Sequence, residues 1–380
     1  MSGMNFLEKL LDGGEMEWKA LGAVTTIKTG SSVNKQMISA NPGEYAVINS
    51  GREPLGFINE WNTDNDPIGV TTRGAGVGSI TWQEGKYFRG NLNYSVTINN
   101  SLKISIRYLY HLLLEMQSDI QALCTYDGIP ALNAGNLKEL QIPIPCPGNP
   151  EKSLEIQAEI VRILDAFTEL TAELTAELAA RKKQYNYYRD QLLSFEEGKV
   201  EWKALGELCS INVGQAPAAN ELGEYPFVNA GTTPSGYVPA YNTEPGTITT
   251  PSRGQGGIGY VGYQTTRFWC GPLCYRIRST SEMLSTRFLY HVMANSMKEI
   301  VGLANMTGVP ALNKKDLVGF PVPIPSPDEQ KRIVAILDKF DALTNSITEG
   351  LPREIALRQK QYEYYRNLLL SFQKPEEVAA

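Results

Sequence analysis

The chain has 380 residues, of which 42% are hydrophobic and 20% are charged, with 34 glycines and 22 prolines. This length and composition are typical of two or three folded domains and argue against a protein that is disordered, collagen-like or coiled coil throughout. No apolar run approaches the roughly 20 residues of a membrane span, and Glu8 and Asp12 lie where a secretion signal has basic residues, so we expect a cytoplasmic location. Five cysteines, never spaced CxxC, argue against a disulfide framework or a zinc site.

The formal net charge is −6, from 35 Lys and Arg against 41 Asp and Glu, and no segment forms a strongly basic patch. Neutralisation of phosphates dominates the affinity of proteins for DNA. A chain of this charge that bound DNA would therefore depend on partner proteins for much of its affinity.

An internal duplication organises the whole chain. The hexapeptide EWKALG begins at Glu17 and again at Glu201, and further matching motifs follow at offsets of about 180 residues. GIPALN (from Gly128) matches GVPALN (from Gly308), and RKKQYNYYRDQLLSF (from Arg181) matches a similar segment from Arg358. A repeat of this length is too long for a solenoid and predicts tandem domains.

Each repeat begins with short β-rich runs, such as YAVIN (from Tyr45) and YSVTI (from Tyr94), separated by glycine-rich turns. One helix, predicted over 107–123 and again over 287–303, and a proline-rich exit complete an α/β globule. The repeat continues as a helix whose apolar residues recur in steps of three and four, which is a heptad pattern. Gly350 and Pro352 interrupt the second of these helices, so we expect a kink or a restart there.

Each heptad seam lacks a partner within its own globule, so we expect the two helices to pair with each other. The predicted fold class is α+β, with two similar α/β globules separated by two long antiparallel coiled-coil helices and related by an internal pseudo-twofold repeat. The predicted segments are an N-terminal helical segment that packs with the distal helix (1–14), a first globule (15–150), a central helix (151–197), a second globule (198–327) and a distal helix (328–380).

The order of EWKALGE, GIPALN, IPIP, EIVRILDAF, TAELTAEL and RKKQYNYYRDQLLSF closely resembles the specificity subunit of type I restriction-modification enzymes. The TAEL repeats place the resemblance in the type IC-like group, and it covers essentially the whole chain. It implies a non-catalytic subunit whose two target-recognition domains each read one half of a bipartite, interrupted site in double-stranded DNA. It also implies that the helices set the spacer and dock two modification (methyltransferase) subunits, and that two restriction (motor and nuclease) subunits can join.

The resemblance implies that the chain itself binds no cofactor, since S-adenosylmethionine belongs to the modification subunit and ATP and Mg²⁺ to the restriction subunit. No methyltransferase, helicase or kinase signature occurs in the sequence, so we predict no catalytic and no metal-binding residue. The only two histidines, His111 and His291, are expected to make structural hydrogen bonds. The alternative left open is a coiled-coil scaffold that presents two protein-binding domains without any role on DNA.

Candidate DNA contacts are basic, polar or aromatic residues near the glycine-rich turn and loops of each globule, from which side chains can reach phosphates or base edges. Arg73 and Arg253 lead, because they recur at matching positions. The candidates in the first globule are Lys28, Lys35, Arg73, Lys86, Arg89, Asn91 and Asn93. The candidates in the second globule are Arg253, Gln255, Tyr263, Gln264, Arg267, Trp269, Lys314 and Lys315.

A second group of candidates lies on the predicted helices. The TAEL run contributes the residues that would set the spacer, which are Thr171, Leu174, Thr175 and Leu178. Tyr187 and Tyr364 fall outside the heptad seam and could face a docked helix of a partner protein.

Overall fold

The computed structural model of the chain describes residues 6–51, 53–99, 103–196, 198–218, 222–346 and 348–372. The chain divides into two compact units, the first formed by Met1–Glu173 with Ile355–Ala380 and the second by Leu174–Glu354. Each unit has a hydrophobic core of its own. Within the described ranges, no helix is long and apolar enough to cross a membrane. The first five residues of the predicted N-terminal segment lie outside these ranges.

The first unit opens with a short helix, α1 (Phe6–Leu11), whose Leu10 and Leu11 pack against a core that includes Leu369. The elements that follow are β1 (Met16–Ala20), α2 (Leu21–Val24), β2 (Thr25–Thr29), α3 (Lys35–Ala40), β3 (Pro42–Ile48), β4 (Phe57–Ile58), β5 (Thr63–Asp64), β6 (Ile68–Thr71), β7 (Ile80–Trp82), β8 (Lys86–Arg89), β9 (Asn93–Ile98), α4 (Ile106–Glu115), α5 (Gln117–Ala122), α6 (Ala134–Lys138) and β10 (Gln141–Pro145). They form sheets of order β2-β9-β6-β7, β4-β3-β8-β5 and β1-β10. The run YSVTI lies in β9, and YAVIN lies in β3 except for its last residue, Asn49, which confirms that both runs form strands.

A long helix, α7 (Pro150–Leu192), begins in the first unit and ends in the second. The second unit then continues with β11 (Glu201–Ala204), α8 (Leu205–Leu208), β12 (Cys209–Val213), β13 (Tyr225–Val228), β14 (Tyr237–Val238), β15 (Thr247–Pro251), β16 (Gly262–Gln264), β17 (Trp269–Cys270), β18 (Cys274–Ser279), α9 (Thr286–Asn295), α10 (Met297–Gly302), α11 (Lys314–Leu317) and β19 (Pro321–Ile324). Its sheets have the orders β12-β18-β15-β16, β14-β13-β17 and β11-β19.

The strand register shows that the two units are copies of one design. Ile27 of β2 pairs with Val96 of β9 in the first unit, and Ile211 of β12 pairs with Ile277 of β18 in the second. These four residues are buried. Directly opposite residues on neighbouring strands share one face of the sheet, so each pair marks the core side of its sheet. The duplication read in the sequence is therefore a duplication of the fold.

The single helix predicted after the strands of each globule is wrong, because each copy has two short helices instead. Ser105 caps α4 by accepting a hydrogen bond from Tyr108, and α4 ends at Met116, where ψ is 15°. Helix α9 ends in the same way at Ser296, where ψ is 30°. Both ψ values lie outside the helical range, so the chain bends before α5 and α10 begin.

The distal helix is interrupted as the sequence predicts. It consists of α12 (Pro327–Asn345) and α13 (Gly350–Leu370). Gly350 has a φ of +77°, in the left-handed region that glycine adopts without strain, and a Cβ at this position would meet the carbonyl oxygen of Ala342. Any other residue at position 350 would strain the backbone and would also clash with the carbonyl of Ala342.

Each half of α7 packs against a different helix. In the first unit, the ring of Phe167 on α7 stacks on Tyr365 of α13 with 5.1 Å between the ring centroids. In the second unit, Tyr188 of α7 stacks on Phe340 of α12 at 5.7 Å. The heptad seams therefore find helical partners in both units, as their apolar spacing requires.

Candidate nucleic-acid interface

A buried histidine ties each globule to its long helix. The Nε2 of His111 on α4 lies 2.7 Å from Oδ1 of Asp165 on α7, and the Nε2 of His291 on α9 lies 2.7 Å from Oδ1 of Asp338 on α12. Burial lowers the pKa of both imidazoles, against the opposing effect of the hydrogen-bonded carboxylates. Each ring is therefore neutral at pH 7 and donates its Nε2 proton to the aspartate, which confirms the structural role predicted for both histidines.

Buried glutamines make a second repeated link between globule and helix. The side-chain oxygen of Gln157 on α7 accepts a hydrogen bond from the backbone nitrogen of Ser105 at 2.7 Å, and that of Gln330 on α12 accepts one from Ser285 at 2.9 Å. Both glutamine side chains are buried, where an unpaired amide would be costly. Buried polar bonds thus fix the orientation of each globule, with its glycine-rich turn and its PALN loop, on its own helix.

The two leading candidates, Arg73 and Arg253, occupy the same frame in both units. Arg73 forms a backbone bridge to Ala131, and Arg253 forms the matching bridge to Ala311. The glycine after each arginine donates its backbone hydrogen to a proline carbonyl in the PALN loop, at 2.9 Å in the first unit and 3.0 Å in the second. Both arginine side chains are exposed, so each unit presents a guanidinium group from a braced turn.

The second unit carries more positive charge around this frame. Lys314 and Lys315 begin α11 directly after its PALN loop, and both are exposed, as is Gln255 in the adjacent turn. Ala134 and Gly135 hold the matching positions in the first unit. The two loops therefore share a backbone frame but differ in the number of cations beside it.

Other candidates are accessible outside the arginine turn itself. Lys86 on β8 lies over the ring of Trp61, 4.5 Å from its centroid. Arg267 makes a salt bridge of 3.2 Å with Glu244 on the surface. The remaining exposed candidates are Lys28, Lys35 and Asn91.

Arg89 and Asn93 are corrected, because neither can reach a DNA groove. Arg89 is 3% exposed and Asn93 is fully buried. The guanidinium of Arg89 donates to the side-chain oxygen of Asn93 and to the backbone oxygen of Asp66, both at 2.6 Å, and contacts the hydroxyl of Tyr87. Burial also raises the pKa of Tyr87 to about 12. Arg89 is therefore the centre of a buried polar cluster that holds β6, β8 and β9 together.

Three aromatic and amide candidates in the second unit are half-buried and take part in internal contacts. The guanidinium of Arg287 lies 4.4 Å from the ring centroid of Tyr263, just as that of Arg107 lies 4.5 Å from the ring centroid of Trp82 in the first unit. Gln264 and Trp269 donate side-chain hydrogen bonds of 3.0 and 2.7 Å to neighbouring strand and loop oxygens. These contacts favour a structural role for Tyr263 and leave Gln264 and Trp269 only partly accessible.

A polar cleft occupies the same place in each unit. Asn62 bonds both backbone groups of Arg89, and Asn242 bonds both backbone groups of Cys270, at 2.7 to 3.0 Å. These matched bonds frame clefts of about 310 Å³ in the first unit and 220 Å³ in the second. The location is repeated, so the linings of the two clefts can be compared directly.

The linings of these clefts are not repeated. The first cleft is lined by Lys28, Asp64, Asp66, Arg89 and Ser95, among others. The second has Asn212 and Glu244, and its arginines, Arg276 and Arg278, come from β18. Arg276 donates to the backbone oxygen of Asn242 at 2.9 Å. A buried or half-buried arginine therefore lines both clefts but comes from different strands, β8 in the first unit and β18 in the second.

The sequence reasoning missed Arg276 and Arg278. The signal was the alternation in CYRIRS, where Tyr275 and Ile277 are buried and the two arginines point to the opposite face. Period-two alternation places both on the cleft side of the sheet.

The residues of the TAEL run lie inside α7. Leu174 and Leu178 are half-buried, Thr175 is exposed, and the hydroxyl of Thr171 bonds the carbonyl of Phe167 at 2.8 Å. Farther along the helices, Tyr187 is 62% exposed and Tyr364 is 65% exposed. Each packs edge-on against the tyrosine that follows it, so the two helices carry matching exposed aromatic pairs.

Comparison with known proteins gives a consistent result. The family model of the type I restriction modification DNA specificity domain matches residues 14–181 and again residues 197–357. The chain is 39% identical, over an alignment of 417 residues that covers both chains completely, to the type I restriction enzyme EcoR124I/EcoR124II specificity subunit of Escherichia coli. It is 34% identical to a putative type I restriction enzyme specificity subunit of Haemophilus influenzae, across 97% of this chain and 98% of that one.

Solved structures agree on the fold. The crystal structure of a type I restriction-modification system S subunit from M. genitalium superposes with a TM-score of 0.68 at 21% identity, over 96% of this chain and 98% of that chain. The likeness therefore extends along nearly the full length of both chains.

Proposed function

The chain belongs to the family of type I restriction modification DNA specificity domains, and from this premise we propose how its two units divide the recognition of one DNA site. The protein is a non-catalytic specificity subunit that selects the DNA sequence on which a type I complex acts. Each unit reads one half of a bipartite, interrupted site. The observation that carries this proposal is that the fold and the family domain both occur twice, with an exposed arginine on the same braced turn in each copy.

Different half-sites require different contact surfaces on one frame. The Arg73 and Arg253 turns share their backbone bridges, whereas the adjacent cations and the polar clefts differ between the units. Shared groups suit contacts with phosphates, which carry no sequence information, and unshared groups suit the reading of base edges. Of the predicted contacts, we retain all except Arg89 and Asn93, which are buried, and Tyr263, whose half-buried ring packs against Arg287.

The long helices dock the catalytic partners in this proposal. The chain pairs with two modification subunits that carry S-adenosylmethionine, and two restriction subunits that use ATP and Mg²⁺ can join them in the cytoplasm. The matched exposed tyrosines, Tyr187 and Tyr364, provide an aromatic contact for a modification subunit on each helix. The partners also supply much of the positive charge that DNA binding needs and that a chain of net charge −6 lacks.

The test is to express the chain with and without a modification subunit in a methylation-free host and to sequence the methylated adenines. We expect no methylation by the chain alone and methylation at one interrupted bipartite site when both are present. Methyl transfer by the chain alone, or methylation without sequence preference, would contradict the proposal. The alternative of a scaffold without a DNA role predicts that the chain leaves the sites of methylation unchanged, and the family match does not favour it.

A further inference from the structure

The PALN loop of each unit presents apolar side chains to solvent at its tip. Ile129 is 69% exposed and Val309 is 63% exposed, at matching positions of GIPALN and GVPALN. Three residues before these positions, Tyr126 in the first unit and Met306 in the second also match, and they are 60% and 57% exposed. One exposed aliphatic residue needs no explanation, but exposure of the same apolar pair in both units indicates a contact surface.

The tips are held in shape before anything binds them. Thr125 and Ala131 exchange two backbone hydrogen bonds of 2.9 and 3.0 Å, and Asn305 and Ala311 exchange two of 2.8 and 2.9 Å. The turn within each tip uses a glycine with positive φ, +94° at Gly128 and +76° at the matching glycine. Binding by a loop that is already ordered costs little conformational entropy.

A cation stands beside each tip. The backbone bridge from Arg73 to Ala131 places this exposed arginine next to the first tip, and the bridge from Arg253 to Ala311 does the same in the second unit. Apolar side chains next to a cation match the chemistry of duplex DNA, in which apolar base faces lie inside a sheath of phosphates. Proteins that bend DNA use apolar wedges of this kind, including isoleucine and methionine, between neighbouring base pairs.

The repetition of the tips separates them from the residues that read sequence. The clefts and the neighbouring lysines differ between the units, whereas both tips keep an aliphatic residue and a large apolar residue and have an arginine beside them. A feature that is the same on two domains with different targets contacts something common to both targets. In DNA, the features common to every sequence are the stacked base pairs and the phosphate backbone.

We propose that the two tips, 125–131 and 305–311, insert Ile129 and Val309 between base pairs and unstack one step at each half-site, whatever its sequence, while Arg73 and Arg253 bind the adjacent phosphates. This inference rests on the proposed function. The ligand is double-stranded DNA, and the interaction adds affinity and deforms the duplex without selecting bases.

The test uses the chain assembled with its modification subunit, without S-adenosylmethionine, on duplexes that carry 2-aminopurine at successive positions other than the methylated adenines. We expect fluorescence to rise at one step in each half-site for the wild type. Ile129→Ala should abolish the rise in the first half-site only, and Val309→Ala the rise in the second only. The double variant should bind specific and non-specific DNA about tenfold more weakly, with the same half-sites in its methylation map.

The matched control is Leu222→Ala, which truncates an aliphatic side chain that is 92% exposed in the second unit and lies outside the tips. It should leave both fluorescence and affinity unchanged. Unchanged fluorescence and affinity in the tip variants would overturn the inference. Weaker binding of the modification subunit to the tip variants in the absence of DNA would also overturn it and would assign the tips to that protein. A wild-type complex that selects no bipartite site is a different result, because it contradicts the proposed function itself.

Discussion

His111 and Asp165 join α4 to α7 through a buried hydrogen bond of 2.7 Å, and the second unit repeats this bond between His291 and Asp338. Each aspartate also accepts a hydrogen bond of 2.8 Å from an arginine on the same short helix as the histidine. The globule and the long helix therefore form one body within each unit. Protonation of either histidine therefore changes the contact that orients its globule on the long helix.

We expect stability to decrease below about pH 6.5. The pKa of each buried histidine is lowered in the folded protein relative to about 6.5 in the unfolded chain. The folded protein therefore keeps its full stability above about pH 6.5. The free energy of unfolding decreases as pH falls below this value, because the unfolded chain then binds more protons than the folded protein does. The loss is at most about 1.4 kcal/mol per pH unit for each histidine. Urea midpoints at pH 7.5 and 5.5 measure it. An equal decrease in a His111→Asn/His291→Asn variant would contradict the assignment.

Replacing Arg89 should damage the fold of the first unit, not only DNA binding. Arg89→Ala removes the hydrogen bonds to the carbonyl of Asp66 and to Asn93, and it leaves the buried side-chain oxygen of Asn93 without a donor, so we expect the free energy of unfolding to fall by about 3 kcal/mol. The control is Arg267→Ala, which breaks an exposed salt bridge and should cost less than about 1 kcal/mol. Chemical denaturation followed by tryptophan fluorescence distinguishes them. If Arg89→Ala has wild-type stability, the buried cluster does not hold the strands as described.

Exchange of whole recognition domains should transfer half-sites. With junctions near residues 148 and 198, just before α7 and β11, each globule keeps the core residues of its strands and short helices. The long helices supply matching core residues, Ile160 and Leu164 on α7 and Ile333 and Leu337 on α12. A chain with the first domain in both places should be folded and should methylate a site built from two copies of the first half-site. Mapping of methylated adenines reads the outcome. Persistence of the original second half-site in that chain would refute the assignment of one half-site to each domain.

Insertion of one further TAEL copy should lengthen the spacer of the DNA site by one base pair. Four residues add about 6 Å to α7 and a net rotation near 40°, and one base pair of DNA adds roughly 35°. The near match in rotation keeps the second domain facing its half-site. A three-residue insertion is the control, because it turns the helix by about 60° in the opposite sense and should abolish methylation. If the TAEL insertion leaves the spacer unchanged, α7 does not measure the distance.

Tyr187→Ala and Tyr364→Ala should weaken the binding of the modification subunit without unfolding the chain. Both tyrosines are mostly exposed, so their truncation costs little stability, whereas aromatic residues at the centre of an interface often contribute 2 kcal/mol or more. We expect the double variant to bind the modification subunit at least about thirtyfold more weakly in sedimentation or calorimetric titration. Unchanged binding would place the docking surface elsewhere.

Sequence reasoning predicted features that depend on local pattern or on repetition. The duplication, the strands at Tyr45 and Tyr94, and the break before Gly350 all leave a direct signal in the sequence. The bends at Met116 and Ser296 leave none, since neither position carries glycine or proline.

Arg89 was misassigned because an arginine beside a polar loop has the pattern of a surface residue. Its burial depends on Asp66, in the connection between β5 and β6, and on Asn93 at the start of β9. Such a cluster follows from the packing of the strands and not from their spacing in the sequence. The alternation in CYRIRS indicates the face of the sheet on which Arg276 and Arg278 lie, but only the strand register shows that this face lines a cleft.

The different origins of the cleft arginines limit how these genes can recombine. Residues that match in the two copies pair Arg89 with Cys270 and Ser95 with Arg276. A crossover between these positions inside a domain would yield one chain with both arginines in a single cleft and a reciprocal chain with neither. We expect the first product to be destabilised by like charges in one cleft and the second to lack the arginine hydrogen bonds that each native cleft contains. New specificities should therefore arise by inheritance of intact domains, with successful crossovers confined to the segments around the long helices.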